Sequence, residues 1–168
     1  MTGGAGADIF VKSLEAEGVE FVFGHPGGAI IKIYDALARI QPSFEHILVR
    51  HEQAGTHAAE GYAKATGKVG TVLVTSGPGA TNTVTGIADA MLDSVPIVVF
   101  TGQVSVPLIG GDAFQEVDQQ ALFKPITKKV WTATGADRVP EMMREAFREA
   151  LAPRRGPVSR PLPAPLAI

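Results

Sequence analysis

The stretch that decides the fold is Thr71-Val-Leu-Val-Thr75, followed by the loop Ser76-Gly-Pro-Gly79 and a helical segment that runs to about Asp93. The five-residue run is rich in β-branched residues and apolar on both faces, which is typical of a strand inside a parallel sheet. A parallel strand needs a crossover connection to the next strand, and the helical segment supplies it. The stretch therefore predicts one strand–helix unit of an α/β fold.

The same strand-then-helix order repeats on both sides of this unit. Further helices are predicted over residues 7–16, 29–39, 53–66 and 140–151, and further strands over 19–23, 44–49, 97–101 and 130–132. Residues 102–125 interrupt the alternation as one long connection, and long connections in compact domains are often functional. We therefore expect an α/β fold with three layers, α/β/α, around a mainly parallel sheet.

Composition limits the class of protein. The chain has 168 residues, 45% hydrophobic and 19% charged, with a formal net charge of -2. This length fits one domain with its own core, and the near-neutral charge argues against a nucleic-acid binder. There is no cysteine, which excludes disulfides and thiol catalysis. No apolar run is long enough to span a bilayer and no signal-peptide pattern is present, so a soluble, cytoplasmic protein is expected.

The end of the chain changes in character after Val158. Pro161, Pro163 and Pro165 follow one another at every second position. Because proline has no backbone N–H, an interior strand is not expected to run through this segment. We therefore predict a domain over residues 1–158, a divergent proline-rich tail over 159–168, and a sixth strand that is shortened or absent.

Four common motifs nearly match and are rejected. Gly77-Pro-Gly79 lacks the third glycine of the dinucleotide fingerprint, and residues 61–68 have the wrong spacing for a P-loop. His51-Glu52 lacks the second histidine of a zinc-protease helix, so no metal site is predicted there. Ser76 stands outside the Gly-x-Ser-x-Gly pattern of a nucleophile elbow.

Glu52 is the strongest candidate for chemistry. It is predicted just after the second strand, at the edge of a parallel sheet where ligands bind. A glutamate among small neighbours is poorly solvated, which suits it to proton transfer; the alternative is a helix N-terminal acid that favours the dipole. The loops His25-Pro-Gly-Gly28 and Ser76-Gly-Pro-Gly79 would lie at the same edge, where bare backbone allows a flat ligand to approach or simply makes tight turns.

These segments, taken in order, resemble a known family. The matching runs are Phe23-Gly-His-Pro-Gly-Gly-Ala29, Arg50-His-Glu-Gln53, Ala59-Glu-Gly-Tyr62, Thr75-Ser-Gly-Pro-Gly-Ala-Thr-Asn82, Phe100-Thr-Gly-Gln-Val104 and Asp112-Ala-Phe-Gln-Glu116. Together they are similar to the N-terminal, pyrimidine-binding domain of thiamine-diphosphate enzymes. The run from Asp112 to Glu116 resembles more narrowly the large subunit of acetolactate (acetohydroxyacid) synthase.

The resemblance implies a role for each matching residue. Glu52 would hydrogen-bond the N1′ atom of the aminopyrimidine and favour the imino tautomer, whose nitrogen removes the thiazolium C2 proton. Further cofactor contacts would come from Pro78, Asn82 and Gln115, the last of which is also placed with Glu52 as catalytic. The substrate side would hold Gly28, Phe114 and Lys128, and the flavin would contact Ser94 and Arg154. The alternative for Lys128 is a solvated surface charge, and for Ser94 a turn cap.

The resemblance also implies cofactors, substrates and partners. The cofactors would be thiamine diphosphate with Mg²⁺, and FAD that takes no part in net redox chemistry. The substrates would be 2-oxo acids, pyruvate and 2-oxobutanoate, condensed in branched-chain amino-acid biosynthesis. A homodimer or tetramer is expected, with a regulatory small subunit as a further partner, and neither nucleic acid nor membrane.

The chain also departs from the family pattern. The Gly-Asp-Gly…Asn-Asn magnesium motif of the diphosphate domain does not occur, and Arg155 stands where the family has proline. A truncated synthase subunit, inactive by itself, is therefore expected. The alternatives are the domain of another thiamine-diphosphate enzyme, such as a 2-oxo acid decarboxylase, pyruvate oxidase or sulfoacetaldehyde acetyltransferase, or a non-catalytic chain, which is either a remnant or a domain that only binds a partner.

Overall fold

The computed structural model describes residues 6–133 and 135–163, which alternate between strands and helices. The helices are α1 Gly6–Ala16, α2 Ile31–Ile40, α3 Glu52–Thr66, α4 Pro78–Thr81, α5 Val84–Leu92, α6 Gln119–Phe123 and α7 Val139–Leu151. The strands are β1 Phe21–Gly24, β2 Glu45–Leu48, β3 Gly70–Val74, β4 Ile97–Gln103, β5 Lys129–Val130 and β6 Val158–Pro163. None of these helices is long and apolar enough to cross a membrane.

The six strands form one sheet in the order β2-β1-β3-β4-β6-β5, and every pair is parallel. Val72 of β3 lies opposite Phe23 of β1 on one side and Val99 of β4 on the other. The strand order runs outward in opposite directions from β1 and β3, so the switch point of the sheet lies between these two strands. Ligands of open α/β sheets bind at such a point, at the carboxyl ends of the strands.

Helices cover both faces of the sheet and define two cores. Every residue of β3 and β4 is buried, as expected for strands packed on both sides. Leu73, Val98 and Phe100 join the core formed with α1, α2 and α7. Val72 and Val99 join the core formed with α3, α5 and α6. The prediction of a three-layer α/β/α fold is confirmed, with a sheet that is parallel throughout.

The prediction that the sixth strand is shortened or absent is wrong, because β6 lies inside the sheet between β4 and β5. Backbone groups of successive strand residues point to opposite neighbours. The carbonyl groups of Pro157, Ser159 and Pro161 accept bonds from the side of β5, so the even-numbered residues face β4. Pro161 and Pro163 are both odd-numbered, and their missing N–H groups therefore remove nothing from the β4–β6 ladder. Pro165 and the rest of the tail, residues 164–168, lie outside the described residues.

β6 also buries a charged side chain. Arg160 is 1% exposed, and its guanidinium lies 4.0 Å from the centre of the Trp131 ring. Among the described residues, neither Nη1 nor Nη2 has a hydrogen-bond partner. Burial lowers the pKa of Arg160 to about 10, and the carboxylate of Glu145 partly offsets this effect. The strand that completes the sheet thus carries a buried cation.

Candidate functional site

The loops after β1 and β3 touch at the switch point of the sheet. Gly27 has an extended backbone, and a β-carbon on it would lie 2.6 Å from the hydroxyl oxygen of Thr75. A side chain at Gly27 would therefore push the two loops apart. Both loops lie at the carboxyl edge of the sheet, and together they form the floor of the candidate site.

Glu52 and Asn82 meet above this floor. Glu52 is the first residue of α3, which His51 caps by accepting a bond from the Gln53 N–H at 3.2 Å. Asn82 follows α4, and its Nδ2 donates to Oε2 of Glu52 at 2.9 Å. The glutamate is 9% exposed. Two residues 30 positions apart, both assigned to the cofactor from the resemblance, are therefore brought into direct contact.

Residues with little or no side chain surround the second oxygen of Glu52. Pro78 begins α4, where its missing N–H is harmless. A β-carbon on Gly79 would lie 3.7 Å from Oε1 of Glu52 and 2.7 Å from Cγ2 of Thr75. Because Gly79 carries no side chain, Oε1 keeps free space around it. Asn82 thus bonds one carboxylate oxygen of Glu52, and the missing side chain of Gly79 leaves space beside the other.

The long connection after β4 folds back onto the same edge. A β-carbon on Gly77 would lie 2.6 Å from the carbonyl oxygen and 2.8 Å from Cβ of Gln115. Gln115 takes the left-handed region, with φ 58, and the neighbouring Phe114 side chain is 87% exposed. Gly28 belongs to the β1 loop and has open space where a side chain would be. Gln115 thus lies beside the loop of Pro78, whereas Phe114 points into solvent.

The residues assigned to the flavin lie at the opposite edge of the sheet. Ser94 follows α5, Arg154 follows α7, and Nε of Arg154 donates to Oγ of Ser94 at 2.7 Å. Arg154 also donates to the carbonyl oxygens of Met91 and Leu92, which end α5. The two residues do meet, as one pair at the amino edge, separated from Glu52 by the length of a strand, roughly 13 Å for β3 at 3.3 Å per residue.

Lys128 lies at this amino edge as well, just before β5. Its side chain is 11% exposed, and Nζ donates to the carbonyl oxygens of Ala152, at 2.9 Å, and Glu149. The interpretation as a solvated surface charge is wrong, because Lys128 satisfies the last carbonyl groups of α7. A role on the substrate side stays a prediction.

One groove of the described domain is also separate from Glu52. It has a volume of about 550 Å³ and lies at the amino edge, between the segments before β1 and β3 and helix α7. Val19, Tyr62 and Phe147 are among its lining residues, and none of the predicted site residues is. The presence of a groove therefore does not locate the candidate site, which is identified by the chemistry of its side chains.

A half-buried polar pair lies beside the last residue of β1. The Tyr34 hydroxyl and Nε2 of His46 are 2.9 Å apart, and both would crowd a side chain at Gly24, the last residue of β1. Burial raises the pKa of Tyr34 and lowers the pKa of His46. Both groups are therefore held in their neutral forms.

Sequence analysis missed three polar residues that shape the site. Thr101, Gln103 and Gln119 are each at most 4% exposed. At the carboxyl end of β4, Thr101 donates to Gln119, Gln119 donates to the carbonyl oxygen of Gly102, and Gln103 donates to the carbonyl oxygen of Val117. A signal for one of them exists in the sequence: Gln119 lies four residues before the buried Phe123, so both occupy the same face of α6. A polar residue on a buried helix face needs a partner.

A family described as "Thiamine pyrophosphate enzyme, N-terminal TPP binding domain" matches residues 4–122, which is more than half of the chain. The chain belongs to this family. The description of this family supports thiamine diphosphate as the cofactor class, and Glu52, Pro78 and Asn82 all lie within the matched residues.

Curated relatives of this TPP-binding domain are acetolactate synthase subunits. The chain is 53% identical over 159 residues to "Acetolactate synthase large subunit" of Haemophilus influenzae, and 51% identical over 159 residues to "Acetolactate synthase isozyme 3 large subunit" of Escherichia coli. It is 52% identical over 158 residues to "Probable acetolactate synthase large subunit" of Methanocaldococcus jannaschii. The matches cover 94–95% of this chain but only 26–28% of each relative, so the chain spans about a quarter of their length.

Proposed function

We propose that this domain binds the aminopyrimidine ring of thiamine diphosphate through Glu52 and serves an acetolactate synthase. The single observation that carries the proposal is the bond from Asn82 to Oε2 of Glu52, at the switch point of the sheet. It orients a buried carboxylate and leaves Oε1 as the acceptor for a ring nitrogen. The identity of 51–53% to acetolactate synthase subunits supports the choice of enzyme.

The residues at this edge suit a flat, nitrogen-containing ring. A buried carboxylate can share a proton with a ring nitrogen because little water competes for it. Gly79 and Pro78 expose backbone beside Oε1, where a ring can approach closely. When bound, the cofactor would supply the carbanion chemistry that joins two 2-oxo acids. The contribution of Glu52 would be to hold and move a proton at Oε1.

The magnesium ion and the diphosphate would be held outside the described site. The Gly-Asp-Gly…Asn-Asn motif does not occur in the sequence, and the described residues at the Glu52 edge offer no cluster of metal ligands. FAD remains part of the proposal for the whole synthase. Ser94 and Arg154 would serve it as a bonded pair on the amino edge, where Arg154 is exposed.

Exposed apolar residues support the proposal of partners. Val106, Leu108 and Phe114 of the long connection are 52–87% exposed, and clustered apolar side chains of this kind mark contact surfaces. On the other layer, α3 presents Ala54, Gly61 and Ala65 on its exposed side. We propose that α3 packs against a second copy in a homodimer or tetramer, and that the long connection is covered by the diphosphate-binding domain. We further propose that a regulatory small subunit is a partner, that the protein is cytoplasmic, and that the substrates are pyruvate and 2-oxobutanoate.

The proposal is tested by titrating thiamine, which carries the aminopyrimidine without the diphosphate, into the ¹⁵N-labelled chain. We expect shifts of the amide signals of Glu52, Gly79 and Asn82, and their loss in Glu52→Gln, because an amide cannot take up the proton of the ring nitrogen. Glu45→Gln is the matched control, since it neutralises an exposed carboxylate on the strand that leads to Glu52.

Turnover of pyruvate is the second measurement in this experiment. With thiamine diphosphate, magnesium and FAD added, we expect the 168-residue chain to make no acetolactate, because ring contacts alone must overcome an association cost of roughly 4–15 kcal/mol. Turnover that disappears in Glu52→Gln would show that the chain is sufficient by itself. Thiamine shifts that are the same in the wild type and in Glu52→Gln would refute the role of Glu52.

A further inference from the structure

The long connection between β4 and α6 is fastened at both ends by buried glutamine side chains. At its start, Oε1 of Gln103 accepts from the Val104 N–H at 2.8 Å, and Nε2 of Gln103 donates to the carbonyl oxygen of Val117 at 3.1 Å. At its end, Gln119 reaches back from α6 to β4. The ends of a 15-residue excursion, residues 104–118, are thereby held together.

Gln119 uses both ends of its carboxamide group in buried hydrogen bonds. Oγ1 of Thr101 lies 2.5 Å from Oε1 of Gln119 and donates to it, and Nε2 of Gln119 donates to the carbonyl oxygen of Gly102 at 2.7 Å. Thr101 is fully buried and Gln119 is 1% exposed. Buried amides without partners are costly, and here both ends of the amide are bonded.

Gly102 is also where the three loops of the candidate site converge. A β-carbon on Gly102 would lie 2.9 Å from the backbone nitrogen of Ser76 and 2.9 Å from Cβ of Ala29. The carbonyl group that Gln119 binds therefore belongs to a residue packed between the β1 loop and the β3 loop. Through this contact, α6 is held at a fixed position relative to both loops.

The consequence appears at Gln115, four residues before α6. Glu116 closes the tip of the connection by accepting from the N–H groups of Gly110 and Ala113. With the tip closed and the base fastened, Gln115 is pressed against Gly77, where no side chain separates them. Neither Gln115 nor Phe114 contributes a side-chain bond of its own to this placement in the described structure, so the placement depends on the anchors.

We propose that Gln119 is a positioning residue, whose buried carboxamide places Gln115 against Gly77 in the loop after β3. What Gln115 contacts there rests on the proposed function; where Gln115 lies does not. Gln119 acts through Gly102 and the base of the connection and does not itself reach the site.

The placement is measured in the ligand-free chain as the nuclear Overhauser cross-peak between the α-protons of Gly77 and the β-protons of Gln115. We expect Gln119→Met to lose this cross-peak, because methionine fills the space without bonding Gly102. The matched control is Gln120→Met, which makes the same change one residue later at an exposed position and should retain the cross-peak.

A second variant separates positioning from stability. Thr101→Val/Gln119→Met replaces both bonded side chains by apolar groups, an exchange that is often nearly neutral for stability. We expect its urea midpoint to return toward that of the wild type while the cross-peak stays absent. A cross-peak that persists in Gln119→Met, or that returns together with stability in the double variant, would overturn the inference.

Thiamine titration of the same samples keeps the two proposals apart. If the wild type does not shift with thiamine, the proposed function fails, and the cross-peak still decides whether Gln119 positions Gln115. If thiamine binds the wild type, we expect the shift of the Gln115 amide to be lost in both Gln119 variants, whereas the shift of Asn82 remains. If the cross-peak is lost in Gln119→Met but the Gln115 amide of the wild type does not shift with thiamine, the positioning inference is supported. Gln115 is then removed from the ligand contacts.

Discussion

Glu52 offers its two carboxylate oxygens to different partners. Asn82 holds Oε2, whereas Oε1 faces Gly79 and the backbone of the β3 loop. A side chain at position 79 would crowd Thr75 and narrow the space beside Oε1. At the scale of single residues, the shape of the site thus depends on the absence of a side chain at Gly79 as well as on the side chains of Glu52 and Asn82.

The paired glycines of the β1 loop allow a direct test of this point. We expect Gly27→Ala to lower the free energy of unfolding by about 1–3 kcal/mol, because its methyl group would overlap Thr75. Gly28→Ala is the matched control, since nothing lies within 4 Å of its β-carbon position. Its expected effect is between zero and a gain of about 1 kcal/mol from the restricted unfolded chain.

Urea unfolding followed by the fluorescence of the single tryptophan measures both glycine variants. The backbone of Gly27 is extended, with φ -171, so alanine meets no conformational penalty there. Equal stabilities for the two variants would therefore mean that the loops after β1 and β3 do not touch as described.

At the scale of elements, β6 shows how a proline-rich segment can pair inside a sheet. Its prolines occupy only the positions whose backbone points toward β5, and the carbonyl group of Pro161 still accepts a bond there. The side toward β4 keeps its donors at Val158, Arg160 and Leu162. What remains unfavourable in this strand is the guanidinium of Arg160, which is buried with no hydrogen-bond acceptor in the part of the chain that the structure describes.

We expect Arg160→Met to stabilise the domain. Methionine fills a similar volume without the desolvation of a charge, and replacing buried ionic groups by apolar ones is neutral or stabilising by about 1–4 kcal/mol. The stacking on Trp131 is lost, which offsets roughly 0.5–2 kcal/mol of the gain. Circular dichroism in urea is the measurement, because tryptophan fluorescence would itself respond to this change.

Arg155→Met is the control for this variant, since Arg155 is exposed just before the strand. Its free energy of unfolding should stay within about 0.5 kcal/mol of the wild type. A lower stability for Arg160→Met would show that the contact with Trp131 outweighs the cost of burying the charge.

At the scale of the whole molecule, the two edges of the sheet carry different sets of predicted site residues. The carboxyl edge collects Glu52, Asn82 and Gln115, and the amino edge collects the Ser94–Arg154 pair and Lys128. A polypeptide that used both sets of residues on one ligand would have to bring the opposite ends of two subunits together. The proposal that both sets of residues serve one ligand therefore depends on how the subunits assemble.

The stability of the whole domain is expected to fall in mild acid because of His46. Burial lowers the pKa of His46 below its ordinary value of 6.5, so the folded state binds fewer protons than the unfolded chain. The stabilising effect of the neutral ring is present above pH 6.5 and is lost as the pH falls below it. We expect His46→Gln, which keeps a hydrogen-bond partner for Tyr34, to flatten the dependence of the unfolding free energy on pH between 6.5 and the lower pKa of the folded state.

The control for this dependence is Gln41→Asn, which removes no ionisable group and changes an exposed residue whose left-handed backbone asparagine tolerates. Its pH dependence should match that of the wild type. An unchanged slope in His46→Gln would mean that burial of His46 does not contribute to acid sensitivity.

Sequence analysis predicted the layers because strand–helix alternation follows directly from hydrophobic periodicity. It placed Glu52 correctly at the carboxyl edge for the same reason. It failed at β6, because the number of prolines was considered and not the side of the ladder on which their N–H groups would lie. It missed Gln119, since one buried amide on a five-residue helix looks like a solvent-facing residue until its partners on β4 are known.

The alternating prolines of β6 have one more consequence, for the behaviour of the molecule in a crowded solution. β5 is only two residues long. Beyond it, Ala133 donates to the carbonyl oxygen of Pro161, and the outer side of β6 has no N–H groups at Pro161 and Pro163. A strand from another molecule needs donors as well as acceptors to pair along an edge. The same prolines that let β6 pair with β4 thus offer no donors to a further strand on its far side, which limits edge-to-edge pairing at this end of the sheet.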